Sequence, residues 1–202
     1  MSRQGAGLRL TERSCYANSV PLGLYDMSPE IIDKAFATIR GLPCWHVEQG
    51  YGSFLTLQFG APHQEIGEIR PRRTDDPRSH ARRPVHIRGD AHLSLYCCGW
   101  RIAQDGNVLV CNESTRESIL TGCRALEGQA FSEFSFRPDS GHSRFMFDLG
   151  GKISTGPYDD EVLEQWMLFL PDGYVLTYRS DGAFSYGPSD STDKPFEQVT
   201  KA

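Results

Sequence analysis

HIRGDAHLSLYCCGWRIAQDGNVLVCN, residues 86 to 112, is the longest β-like run in the chain and the least interrupted. Leu93, Leu95 and Cys97 alternate with His92, Ser94, Tyr96, Cys98 and Trp100, so one face is aliphatic and the other aromatic, polar and sulfur-bearing. Such a strand is expected to be buried on both sides. Gln104-Asp105-Gly106-Asn107 then offers an Asp-Gly turn, where glycine accepts a positive φ at no steric cost, and Val108 to Cys111 returns alongside. The stretch predicts the central hairpin of a β-rich domain.

On its N-terminal side, Cys44 to Gln49 and Phe54 to Phe59 read as a second hairpin around Gly50-Tyr51-Gly52-Ser53. Before it, Ser28-Pro29-Glu30 can open a helix, with Ile31, Ile32, Ala35, Phe36 and Ile39 on one stripe and Gly41 and Pro43 ending it. On the C-terminal side, Ser114-Thr115-Arg116-Glu117 matches a capping box before a second helix whose apolar side is Ile119, Leu120, Cys123 and Leu126. Gly128 stands where a left-handed cap would close it. Five further strands are expected at Ala130 to Arg137, Arg144 to Leu149, Gln165 to Leu170, Tyr174 to Arg179 and Ala183 to Tyr186. Gly150-Gly151 and Gly156-Pro157 read as breaks between them. The connectors carry Pro-Asp-Gly and Ser-Asp-Gly turn chemistry and are too short for parallel crossovers. The chain therefore reads as α+β and predominantly antiparallel. About nine or ten strands form a curved sheet, a sandwich or a partly closed barrel, with two covering helices.

One domain, 1–202, suffices for this length and for 39% apolar and 23% charged residues. Within it, 1–27 reads as an irregular lead-in, 60–84 as a long loop broken by Pro62, Pro71, Pro77 and Pro84, and 189–202 as a polar tail expected to fray. No run approaches the roughly 18 apolar residues of a membrane span, and no apolar segment follows the first charges. A cytoplasmic location is expected, and with it free thiols at the six cysteines. Arginine outnumbers lysine 17 to 4, which points to a bacterial genome rich in G and C.

Charge is unevenly spread. Residues 1–104 carry 13 basic and 10 acidic side chains, residues 105–202 carry 8 and 16, and the net charge is −5. Seven arginines lie between Arg70 and Arg88 against Asp75 and Asp76. Among them Arg72, Arg73, Arg82 and Arg83 are candidate contacts for an acidic protein surface or for nucleic acid, because guanidinium binds oxyanions in bidentate fashion. The segment is expected to move freely until it binds. Asp159, Asp160 and Glu161 beside Tyr158 are candidate contacts for a basic partner protein, and Tyr51, expected to be exposed at its glycine turn, is a further candidate contact.

Catalytic and metal chemistry have weaker signatures. His46, Glu48, His92 and Tyr96, with His63, supply residue types for a phosphodiester or acyl hydrolase on a His-lined face of the sheet. No nucleophile elbow, P-loop, HExxH or GxGxxG accompanies them. Cys44, His46, Cys97 and Cys98 are the residues that would hold a metal, but no CxxC or HxxxH pair is present, and neither metal nor cofactor is expected. The leading expectation is a binding protein with the profile of immunity proteins or defence inhibitors, acting on another macromolecule without chemistry of its own. A hydrolase and nucleic-acid binding through Arg70 to Arg88 are the alternatives.

Overall fold

The computed structural model describes residues 30–76, 78–191 and 195–198. The expected lead-in 1–27, together with Ser28 and Pro29, lies outside them. The described residues form two helices and fourteen strands, and every strand pair is antiparallel. The α+β, antiparallel reading holds, and the sheets do not close into a barrel.

The first sheet has seven strands in the order β1 (Cys44–Gln49), β2 (Leu55–Phe59), β5 (Ala91–Leu95), β11 (Glu164–Phe169), β12 (Tyr174–Arg179), β13 (Ala183–Pro188) and β14 (Glu197–Gln198). The second has five, in the order β7 (Asn107–Cys111), β6 (Gly99–Gln104), β10 (Gly151–Gly156), β9 (His142–Phe147) and β8 (Phe131–Arg137). Trp166 and Tyr178 of the first sheet meet Phe134, Phe136 and Phe145 of the second at ring separations between 5.1 and 5.8 Å. The two sheets thus share one aromatic core. β3 (His63–Ile66) and β4 (Val85–Arg88) make a separate two-stranded ribbon.

The expected central hairpin divides between the sheets. Ala91, Leu93 and Leu95 point inward from β5, whereas Trp100 and Ile102 point inward from β6. In one continuous strand odd and even residues would face opposite sides. The corner at Tyr96-Cys97-Cys98 reverses that parity and puts both sets into the same core. The corner is pinned to β11: the Tyr96 amide donates to Gln165 O at 2.8 Å, the Cys97 amide to Glu164 O at 3.2 Å and the Cys98 thiol to Gln165 O at 3.3 Å. The Asp105-Gly106 turn joins β6 to β7 as expected, both residues having positive φ.

α1 (Glu30–Ala37) buries Ile32, Ala35 and Phe36, with Ile39 just beyond, while Ile31 is left outside the stripe. Phe36 lies 4.0 Å from Phe134 and 5.5 Å from Trp166, so this helix caps the aromatic layer. α2 (Arg116–Leu126) is capped one residue later than the sequence suggests: Thr115 Oγ1 accepts from the Ser118 amide, and Ser114 Oγ instead accepts from the Cys111 amide. Its buried side is Ile119, Gly122, Cys123 and Leu126, and Leu120 is exposed. Between the helices, residues 41–44 pair with 128–131 through four backbone bonds of 2.8 to 3.0 Å, tying the edge of the first sheet to that of the second.

Three expectations fail locally. Between the expected breaks at Gly150-Gly151 and Gly156-Pro157, where the sequence suggests no strand, lies β10, hydrogen-bonded on both sides. Residues 60–84 are no structureless loop, since β3 lies within them and pairs with β4. In the tail 189–202, Glu197 and Gln198 do not fray but pair with β13, and Phe196 lies 4.2 Å beneath the Arg179 guanidinium.

The ribbon leaves the first sheet where a Cβ on Gly89 would run into the backbone of Phe59. Gly89→Ala is expected to lower stability by about 2 kcal/mol, the usual scale of overpacking against atoms that cannot rotate away. Urea unfolding of this variant, with the exposed Glu133→Ala as control, checks the value.

Candidate functional site

Two surfaces stand out from the sandwich. The first is the ribbon, which continues the β2–β5 pairing beyond the bend at Gly60, whose φ is +77°. Asp90 Oδ2 accepts from the Ala61 amide at 2.8 Å and Gln58 Oε1 from the Gly89 amide at 3.0 Å, so its base is fixed. Ile66 lies opposite Val85, Gln64 opposite Ile87, Glu65 opposite His86 and His63 opposite Arg88. With a period of two, Ile66, Val85 and Ile87 share one face with Gln64, and His63, Glu65, His86 and Arg88 share the other. The aliphatic face is open: Ile66 is 61%, Val85 55% and Ile87 47% exposed, and nearby Ile69 is 56% exposed. The polar face is closed by an ion pair from Arg88 Nε to Glu65 Oε2 at 3.2 Å.

Toward the tip, Gly67 donates to Pro84 O, and Arg70 and Arg82 exchange backbone bonds of 2.9 and 3.1 Å. Arg73 pairs with Asp75 at 2.8 Å. Arg72, Arg82 and Arg83 are exposed, and among the described residues no carboxylate lies within ion-pair distance of them. The expected arginine contacts are thus gathered at the far end of an arm. A two-stranded ribbon is marginal by itself in water, and an uncovered aliphatic face adds to that cost.

The second surface is a groove of about 290 Å³ over the outer side of the second sheet. Gly99, Arg101, Ser154 and Gly156 form its floor, and Asn112, Glu113, His142 and Tyr158 stand around it. Asn112 Oδ1 accepts from the Trp100 amide at 3.0 Å, and its Nδ2 donates to the Tyr158 hydroxyl at 3.1 Å. A Cβ on Gly156 would collide with the His142 ring, so glycine lets the imidazole close over the floor. His142 Nδ1 is held by Ser140 O at 2.8 Å. Of this groove only Tyr158 stands out in the sequence as a candidate contact. Its neighbours Asp159, Asp160 and Glu161 are exposed on the crossover from β10 to β11, where Ser180 Oγ donates to Glu161 O at 3.0 Å. Tyr51, at the tip between β1 and β2, is 91% exposed.

The candidate hydrolytic residues do not converge. His46 sits in a bulge of β1 with φ +47° and pairs with Glu48 at 3.1 Å, both side chains being largely exposed. His92 is in β5, two strands away, about 10 Å at the usual strand spacing. Its ring stacks on Phe169 at 4.2 Å. Tyr96 packs on Phe54 with the two rings tilted, and His63 belongs to the ribbon.

The candidate metal ligands separate too. Cys44 donates to Leu126 O at 3.0 Å, and Cys98 faces β11 at the corner. Burial pushes the thiols of Cys44 and Cys98 up to about 12 and that of Cys123 up to about 11, so all three are neutral at pH 7. Among the described residues no group of three or more His, Cys, Asp or Glu is placed to hold a metal ion. Among them, also, no helix is long and apolar enough to cross a membrane. No protein-family model, curated protein or solved structure matches the chain.

Burial, and next the Arg88 charge, lower the His92 pKa from 6.5 to about 4. The unfolded chain therefore takes up a proton at this residue before the folded one does. Stability should fall as pH drops from about 6.5 to about 4 and level off below. His92→Phe keeps a ring on Phe169 and should flatten that part of the profile; an unchanged slope in urea titrations would show that His92 is not the group responsible. In the native protein, a disulfide reagent at pH 8 should modify the partly exposed Cys97 and Cys111 well before Cys44, Cys98 and Cys123, which peptide mapping after short labelling resolves.

Proposed function

We propose that this chain is a binding protein that docks an acidic partner protein with its β3–β4 arm, in the manner of a neutralising inhibitor. The observation that carries the reading is the open aliphatic face of Ile66, Val85 and Ile87 on an arm tipped with arginines. Exposed aliphatics gain by burial, at roughly 25 cal/mol per Å² removed from water, and can supply the centre of an interface. Arg72, Arg82 and Arg83 supply its charged rim and steer an acidic surface toward it. A nucleic-acid backbone would satisfy the arginines and leave the isoleucines in water, so protein is the better match. Tyr51 is a further exposed contact for the same class of partner.

The test is affinity capture from the source organism with the tagged chain, followed by kinetics on the captured partner. Serine at Ile66, Val85 and Ile87 together should abolish capture while changing stability by little, since these positions are exposed. Alanine at Arg72, Arg73, Arg82 and Arg83 should slow association by about tenfold at low salt and less at high salt, with dissociation nearly unchanged. Capture that survives the serine variant, or that disappears on nuclease treatment, would reject the protein-docking arm.

A further inference from the structure

Three positively charged side chains that are far apart in sequence meet on the outer side of the second sheet. Arg101 of β6 lies opposite Ser154 of β10, and Ser154 lies opposite Arg144 of β9. Arg144 in turn lies opposite Ser135 of β8, and Arg137, two residues along β8, stands diagonally to it. Directly opposed side chains are roughly 5 Å apart at Cβ and diagonal ones about 7 to 8 Å. Three arginines therefore rise from one patch of the sheet, with Ser154 and Ser135 among them. Arg101 and Arg144 are half-buried, and among the described residues neither has a carboxylate within ion-pair distance. The Arg144 pKa is lowered by burial and then by the charges of Arg137 and Arg101. Arg101 and Arg144, like charges held on either side of β10 and partly out of water, are destabilising until an anion neutralises them.

The groove adjoins this cluster and shares Arg101 and Ser154 with it. We infer that it binds a small phosphomonoester of a hydroxylated molecule, the class of a sugar phosphate, with the phosphate between Arg101, Ser154 and Arg144. A guanidinium grips phosphate through two parallel N–H donors, and two such groups around one hydroxyl suit a dianion better than a monoanionic carboxylate. Glu113 and Asn112 stand at the other side of the groove, where a carboxylate and an amide can hydrogen-bond sugar hydroxyls. Glu113 also disfavours a second phosphate there. A volume near 290 Å³ lies at the low end for ligand sites and sets the size of the molecule. This site is separate from the arm and stands whether or not the arm docks a protein.

The experiment is calorimetry and thermal unfolding of the full chain with ribose 5-phosphate, inorganic phosphate, ribose and a single-stranded oligonucleotide, each at millimolar concentration or below. Ribose 5-phosphate should bind and raise the melting temperature, inorganic phosphate should bind more weakly, and ribose should have no effect. Arg101→Gln should weaken ribose 5-phosphate by about tenfold or more, as loss of a charge-assisted bond requires, and alanine at Arg72, Arg73, Arg82 and Arg83 should leave it unchanged. Amide shifts in the unmodified protein should centre on Arg101, Ser154 and Gly156, which keeps the test valid if Arg101→Gln folds poorly. Absence of phosphate binding, shifts that centre on the arm, equal affinity in folded Arg101→Gln, or tighter binding of the oligonucleotide through the same amides would each overturn the assignment.

Discussion

Trp166 lies wholly out of water between the two sheets, and it can do so because its indole N–H reaches Ser143 Oγ, on the opposite sheet, at 3.0 Å. A buried donor left without a partner costs about 1 to 3 kcal/mol, so this bond fixes which residue of β9 faces β11. Around it the ring is enclosed by Tyr178 stacked at 5.2 Å and by Phe134, Phe145 and Phe36 at its edges. Tyr178 repeats the device, its hydroxyl donating to Arg137 O at 3.3 Å across the same gap. Both crossings end on residues next to the outer arginines: Ser143 precedes Arg144, and Arg137 is itself one of the three. Since successive strand residues face opposite sides, fixing Ser143 inward fixes Arg144 outward. The inner polar bonds therefore place the outer positive cluster.

Much of the architecture could be read from the sequence because it depends on local chemistry. The Asp105-Gly106 turn, Gly128 with its φ of +86°, and the alternation in β5 are statements about a few adjacent residues. What could not be read depends on partners distant in sequence. Tyr96 to Cys98 continues the alternating pattern without a break, and only the second sheet's demand for Trp100 inside turns it into a corner. β10 is bounded by glycines that look like turn residues, yet Gly151 is there because Leu126 and Gln129 press against the strand and leave no room for a side chain. The Ser114 cap was displaced by one residue because Ser114 is used by the Cys111 amide, a competition that no capping pattern records.

The candidate surfaces divide in the same way. The arginines of the arm form a run in the sequence and were visible as such, although their pairing into a ribbon was hidden by four prolines. The aliphatic face was hidden too, since Ile66, Ile69, Val85 and Ile87 sit among charged residues and have no long periodic pattern. Arg101, Arg144 and Ser154 have no sequence spacing to recognise; they become neighbours only through the β6–β10–β9 register. Histidines and cysteines attracted chemical readings by residue type alone. The structure gives most of them local partners instead: Phe169 for His92, Glu48 for His46, and carbonyls for Cys44 and Cys98.

The two basic surfaces differ in physical kind, and that difference sorts their ligands. At the tip of the arm the arginines are exposed, solvated and screened within about 8 to 10 Å at ordinary ionic strength, so they act on encounter more than on affinity. Arg101 and Arg144 have already lost part of their hydration in the folded chain. An anion that reaches them replaces water they no longer hold, and the interaction is stronger for the lower local dielectric. Access is restricted by the other half of the charge distribution. Glu113 borders the groove, and the exposed Asp159, Asp160 and Glu161 follow Tyr158 in the chain, so a polyanion that extends past Tyr158 meets carboxylates. A compact phosphomonoester keeps its charge among the arginines and turns only hydroxyls toward Glu113, so an acidic protein can carry a phosphate site that disfavours a long polyanion.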